Sequence, residues 1–209
     1  MIVVPGMVGL NLTNSWLNGR LNSNSSLFSL FNNFSSTIIP SQFGHLVSLT
    51  HLNLSFSMLS CRILSEISWL SNLVSLDLSF NYIIPDFSNN IMCLNLRRID
   101  LEALVQNMTY LRELHLGVVN ISSSLPQSLA NLSSLTSFSL SWCGLHGKFP
   151  SNIFLLPRIQ AIDLSGNEDL DGFLPKFQSS SSLKQLHLSS TNFSGELPNS
   201  IGSHEKSWL

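Results

Sequence analysis

The sequence predicts an α/β solenoid in which short parallel strands stack into one sheet on a concave face, joined by short 3-10 or irregular return segments. Three observations carry that expectation. Apolar triplets recur with a period of 24 residues, alternation inside each triplet describes a strand with one buried face, and a proline about ten residues on stops the strand.

The triplets follow Leu-x-x-Leu-x-Leu. They are Leu49/Leu52/Leu54, Leu73/Leu76/Leu78, Leu111/Leu114/Leu116, Leu135/Phe138/Leu140, Ile159/Ile162/Leu164 and Leu183/Leu186/Leu188. The starts at 49 and 73 are 24 apart, as are those at 111, 135, 159 and 183. Counting the first Leu as slot 1, an apolar-Pro pair falls near slots 15 and 16 at Ile39-Pro40, Leu125-Pro126, Phe149-Pro150, Leu174-Pro175 and Leu197-Pro198. A Gly stands near slot 13 at Gly19, Gly147, Gly172 and Gly195. Each unit is therefore a strand, a turn and a return segment too short for a long helix. A unit of this size buries too little apolar surface to offset the entropy of ordering it, so neighbours must stack and share one core. The chain reads as a single domain over residues 1–209 with about seven to eight repeats.

Composition fits the same scaffold. The 209 residues include 39 Leu, 39 Ser and 20 Asn, so solubility rests on hydroxyls and amides rather than charge. Only 11% of residues are charged and the net charge is −2, which excludes a basic nucleic-acid footprint and an acidic tail.

The repeat resembles the plant extracellular type of leucine-rich repeat, Leu-x-x-Leu-x-Leu-x-x-Asn-x-Leu-x-Gly-x-Ile-Pro, and LKQLHLSSTNFSGELP from Leu183 to Pro198 is nearly complete. SLTHLNLS (48–55), EISWLSNLVSLDLS (66–79), LVQNMTYLRELHLGVVNISS (104–123) and SLSWCGLHGKFP (139–150) look like ectodomains of plant receptor-like proteins of the disease-resistance kind. That resemblance implies a right-handed solenoid and a noncatalytic module that recognises a protein or peptide in defence or developmental signalling. It implies a place at the plasma membrane, on the extracellular side, and work beside a membrane co-receptor kinase. A second reading is a secreted inhibitor resembling the polygalacturonase-inhibiting proteins, and a third is a nonfunctional fragment.

Departures from the family pattern carry expectations too. The start MIVVPGMVGLNL has no basic signal-peptide region, no run of 18 apolar residues spans a membrane, and neither end shows a cap, so the chain reads as a truncated ectodomain. The first unit starts at Met7 and the second at Ser25, 18 residues later, so about six residues are missing there. Between Leu73 and Leu111 lie 38 residues, an excess of 14 expected to bulge as a loop from about Ile84 to Leu101.

Chemistry-bearing residues fall on the open face. Slot 5 reads Asn53, Asp77, His115, Ser139, Asp163 and His187 up the stack, neighbours about 4.8 Å apart. Asp77, His115 and Ser139 are the residue types of a hydrolase triad, but a flat strand offers neither a nucleophile elbow nor an oxyanion hole, and no catalytic residue is expected. The pairs Asp77/His115 and Asp163/His187 would make the charge of the face sensitive to mildly acidic surroundings. Flanking slots hold Trp16, His51, Phe56, Phe80, Tyr82, Glu113 and Trp142, candidate anchors for a protein or peptide. The alternative for Phe56 and Phe80 is packing over their own turns.

Slot 9 holds Asn81 and Asn167, with Asn33 nearby, while Ser57, Val119, Cys143 and Thr191 replace it elsewhere, so a patchy asparagine ladder is expected beneath the turns. Cys143 is read as a buried member of it. A Cys61–Cys93 disulfide is open, and Cys143 with His146 lacks the second ligand pair a zinc site needs. No metal or cofactor is implied. Asn-x-Ser/Thr sequons occur at Asn11, Asn24, Asn33, Asn53, Asn107, Asn120, Asn131 and Asn192. Asn11 and Asn53 fall on the strand face, leaving Asn24, Asn33, Asn107, Asn120, Asn131 and Asn192 as candidate N-glycosylation sites.

Overall fold

A computed structural model describes residues 8–13, 46–59, 63, 65–83, 92–178 and 180–199. Trp16, Asn24, Asn33 and Cys61 lie outside these residues. In chain order the strands are β1 (Gly9–Asn11), β2 (His51–Asn53), β3 (Ser75–Asp77), β4 (Tyr82–Ile83), β5 (Met92–Cys93), β6 (Glu113–His115), β7 (Ser137–Ser139), β8 (Gly147–Lys148), β9 (Ala161–Asp163), β10 (Leu170–Gly172), β11 (Gln185–His187) and β12 (Asn192–Phe193).

Seven of them build one parallel sheet in the order β1-β2-β3-β6-β7-β9-β11. The register is unbroken, Leu10 facing Leu52, then Leu76, Leu114, Phe138, Ile162 and Leu186. These slot 4 residues point inward, and the residues on either side point out. Slots 1 and 6 join them in one continuous apolar stack, from Leu49 and Leu54 to Leu164 and Leu183. A second parallel sheet, in the order β12-β10-β8, ties the far sides of the last repeats together.

The return segments begin where proline fixes the backbone. Pro126 and Pro150 stand extended, at φ −73° and −68°, just before the 3-10 turns Gln127–Asn131 and Ser151–Leu155. A third such turn covers Ser65–Trp69. Phe149, Phe154, Phe177 and Phe193 pack tilted or edge-on beneath the last repeats, ring centroids 4.8 to 6.3 Å apart.

Three expectations need correction. First, β1 lies directly against β2, with Gly9 opposite His51, so the unit expected to start at Ser25 places no strand between them. Equivalent positions there are 42 residues apart, 18 more than one repeat, rather than one repeat shortened by six. Secondly, the expected loop from Ile84 to Leu101 is ordered chain wherever it is described. Tyr82 pairs antiparallel with Cys93 in a β4–β5 hairpin, while β3 and β6 on either side stay in register. Thirdly, the return segment of that repeat is an α-helix, α1 (Arg98–Asn107), which buries Leu101, Leu104 and Val105 and packs between Ser65–Trp69 and Gln127–Asn131. The additional residues fall before it: Asn95 bridges to Asn120 and lies 16 residues before Leu111, as Asn120 lies 15 before Leu135, so the excess is carried by the β4–β5 segment. Arg97 opens the helix with a 2.9 Å ion pair to the buried Asp100, which also carries negative charge into the first turn.

Candidate recognition face

The outward slots 3 and 5 form a lattice of cross-strand hydrogen bonds. Asn53 Nδ2 donates to Asp77 Oδ2 over 3.3 Å, and Ser75 Oγ donates to Glu113 Oε2 over 2.7 Å. His115 Nε2 lies 2.9 Å from Ser137 Oγ. His51 and His187 are exposed, and Thr50 Oγ1 is 2.8 Å from His51 Nδ1.

The acidic residues are also tied to their own strand ends. Asp77 Oδ1 accepts from the Ser79 amide and hydroxyl at 3.0 and 2.6 Å, and Asp163 Oδ1 accepts from Ser165 at the same two distances. Asn53 Oδ1 does this for Ser55. An Asp or Asn at slot 5 with Ser at slot 7 therefore closes β2, β3 and β9 by local side-chain bonding. The register places Asp77 beside His115 and Asp163 beside His187, but neither pair forms an ion pair, because the carboxylates serve their serines and His115 turns to Ser137. The same geometry leaves Asp77, His115 and Ser139 unassembled as a relay. Among the described residues no cluster of His, Cys, Asp and Glu is arranged to hold a metal.

The candidate anchors Phe56, Phe80 and Trp142 fall in one column that borders this lattice. Slot 8 is left-handed in every repeat from β2 onward: Phe56, Phe80, Val118, Trp142, Gly166 and Ser190 have φ of 53°, 55°, 65°, 56°, 75° and 54°. Each slot 8 amide from Phe56 to Gly166 whose bond is of this type donates to the slot 7 carbonyl of the next repeat, as Phe80 does to Gly117 and Trp142 to Ser165. Non-glycine residues rarely take this conformation, so the stack imposes it. Phe56 and Phe80 stack on each other, centroids 4.8 Å apart and planes 9° apart. Trp142 is 63% exposed and its ring covers Gly166, where an added Cβ would meet Trp142 Cδ2 at 2.3 Å. With Tyr82 also exposed, an aromatic edge runs beside the polar lattice. Reading slot 8 from repeat to repeat, as Phe56, Phe80, Val118, Trp142, Gly166 and Ser190, was the available signal.

Slot 9 behaves as expected. Asn167 Oδ1 accepts from the amides of Cys143 and Leu145 at 3.1 and 2.9 Å, and its Nδ2 donates to the carbonyls of Leu140 and Leu164 at 2.9 and 2.8 Å. Asn81 does the same for Ser57, Leu59, Leu54 and Leu78. Each Asn thus serves the turn of the repeat before it. Cys143 donates its thiol to the Leu116 carbonyl over 3.1 Å, and burial pushes that thiol up to about 12. Cys93 is a half-buried free thiol.

Sheet, register and ladder together define a leucine-rich-repeat solenoid. Residues 182–204 match the Leucine Rich Repeat family. The particular proteins the chain is similar to are plant receptor-like proteins. It is 40% identical over 204 residues to Receptor-like protein 6 of Arabidopsis thaliana and 38% identical over 206 residues to Receptor-like protein Cf-9 of Solanum pimpinellifolium, each across 93% of this chain. It spans 20% and 22% of their lengths, about a fifth of each. Among solved structures, the ectodomain of the Arabidopsis receptor kinase HAESA in complex with an extended IDA peptide hormone aligns with TM-score 0.66 at 25% identity, over 78% of this chain and 25% of that one. HAESA with IDA and the co-receptor SERK1 aligns with TM-score 0.61 at 28% identity, over 79% and 29%.

Proposed function

We propose that this chain is a noncatalytic recognition segment of a plant cell-surface receptor-like protein, binding an extracellular protein or peptide in defence or developmental signalling and acting with a co-receptor kinase. Similarity to receptor-like proteins over 93% of the chain carries the reading. The face supports it: a rigid sheet whose polar groups are pre-positioned by cross-strand bonds, edged by exposed Phe56, Phe80, Tyr82 and Trp142, suits a partner that supplies hydrogen bonds and apolar anchors. Of the ionisable groups of that face, His51, Glu113, His115 and His187 are the ones offered to a partner, whereas Asp77 and Asp163 hold strand ends and contribute less to binding.

The test is retention of plant extracellular peptides or of the SERK1 ectodomain by the immobilised chain. Trp142→Ala and Glu113→Ala should each weaken retention about tenfold, a loss of about 1.4 kcal/mol. Arg158→Ala, exposed on the return side, should leave it unchanged. Equal effects at all three positions, or no retention, would overturn the reading.

A further inference from the structure

The aromatic edge changes character along the stack. At one end Phe56, Met58, Phe80 and Tyr82, 49%, 44%, 40% and 40% exposed, form an apolar block two repeats wide. Trp142 stands apart from that block. Its indole rests on the Gly166 backbone, with Cδ2, Cε2 and Cγ at 2.3, 2.5 and 2.7 Å from where a side chain would start, and Gly166 at φ 75° keeps that seat bare. The ring is thus backed by a neighbouring turn while 63% of the residue stays open.

The groups around this ring are small or polar. Gly144 follows in its own turn, Ser165, Gly166 and Glu168 belong to the next, and half-buried Val118 is the apolar neighbour in the turn before. Beside them Ser139, Asp163 and His187 occupy slot 5 of three successive strands, about 4.8 Å apart. Asp163 spends Oδ1 on Ser165 and keeps Oδ2 for the face. An apolar side chain of a partner would find one flat surface here and a rim whose polar groups it leaves unpaired. A pyranose ring with equatorial hydroxyls fits both parts. Its axial C–H bonds meet the negative face of the indole, and the hydroxyls around it donate and accept hydrogen bonds.

Charge narrows the sugar further. Slots 3 to 10 of the six repeats that start at Leu49 contain Asp77, Glu113, Asp163 and Glu168 but no Lys or Arg. A uronate, sulfate or phosphate would therefore meet like charge on this face with no cation to hold it. The strand carboxylates also have donors already, Asp77 from Ser79 and Asn53, Glu113 from Ser75 and Asp163 from Ser165, so they serve as placed acceptors rather than as bare charges awaiting a cation.

We propose that Trp142 and the slot 5 row beside it bind a free, neutral oligosaccharide of equatorial pyranoses. One ring stacks on the indole, and the hydroxyls of that ring and the next bond to Ser139, Asp163 Oδ2 and His187. This ligand is additional to the protein or peptide partner and does not depend on it; the two meet at Trp142.

The test titrates cellohexaose and xylohexaose into the full chain carrying isotope-labelled tryptophan, with hexagalacturonate and hexalysine as anionic and cationic probes. The Trp142 indole N–H resonance, assigned by its loss in Trp142→Leu, should shift saturably with at least one neutral sugar and stay in place with hexagalacturonate. Trp142→Leu keeps an apolar side chain without a ring and should weaken binding about tenfold, whereas Trp142→Phe should lose less. Asp163→Asn should weaken it severalfold by removing the Oδ2 acceptor. Asn53 closes β2 with the same two bonds to its serine, so this variant keeps the strand end. Arg158→Ala, exposed on the return side, should bind as the parent does. No saturable shift with either neutral sugar, tighter binding of hexagalacturonate or hexalysine, or undiminished sugar binding by Trp142→Leu would overturn the proposal. Sugar binding by a chain that retains no peptide or co-receptor would fail the receptor reading alone, and retention without sugar binding would fail this one alone.

Discussion

Asn167 shows how much one side chain holds in this fold. Its amide joins four backbone groups across two repeats, and a leucine there would fill the space while leaving the Cys143 and Leu145 amides buried without acceptors. At about 1–3 kcal/mol for each buried group left unpaired, Asn167→Leu should lose about 2–4 kcal/mol in denaturant unfolding. Arg158→Ala should stay within about 0.5 kcal/mol. Cys143 occupies the equivalent slot with one weak donor, and its thiol must stay protonated to serve. Burial raises that thiol from 9.0 to about 12, so the folded chain holds a proton the unfolded chain releases. The contribution is fully present below pH 9.0 and is lost as pH rises toward about 12, at up to about 1.4 kcal/mol per pH unit. Cys143→Ser retains a donor toward the Leu116 carbonyl without a titrating thiol, and its unfolding midpoint should fall less steeply across that window than the parent's. Slot 9 was legible because 24-residue spacing fixes it; the four bonds were not, since they reach into the preceding repeat.

At the scale of elements, the strands were predictable and their exits were not. Alternation at slots 4 and 6 fixes which face of each strand is buried, and the seven strands obey it. The left-handed slot 8 arises because its amide must meet the carbonyl of the next repeat, a constraint absent from any single unit. Trp142 and Gly166 belong to this level: the ring lies where a neighbouring side chain would begin. Gly166→Ala adds a Cβ at φ 75° and displaces the ring, so it should cost about 1–3 kcal/mol and alter near-ultraviolet circular dichroism. In a Trp142→Ala background the steric part should disappear and only the backbone part remain, which a double-mutant cycle measures. Helix α1 had its own signal. Leu101, Leu104, Val105 and Met108 follow helical spacing and are all buried, but the fixed period drew the reading toward a loop ending at Leu101.

The whole molecule is a one-dimensional stack, and its stability should be graded along it. Among the described residues β6, β7 and β9 have a paired strand on each side, whereas β1 and β11 each pair on one side only. Amide hydrogen exchange should be slowest at Leu114, Phe138 and Ile162 and faster at Leu10 and Leu186. Uniform protection along the sheet would mean that the stack opens only as one unit. Low charge has a consequence at the same scale: with a net charge of −2, partner choice under the proposed function would depend on placed hydrogen bonds and aromatic anchors rather than on a broad field.

The sequence by itself determined the solenoid, the register of its strands from residue 49 onward, the buried columns and the positions of the asparagine ladder, because each follows from a short period repeated in phase. Only the tertiary structure decided which strands meet where the period fails. β1 closes on β2 across 42 residues, and β3 closes on β6 across 38, with a hairpin and a helix carried outside the sheet. It also decided that the face carboxylates cap strands rather than pair with histidine, and that Phe56 stacks on Phe80. The physical reason is the same in each case: a repeat records what a unit does with itself, whereas strand closure, capping partners and ring contacts are set by the neighbouring unit, whose distance along the chain the period does not fix.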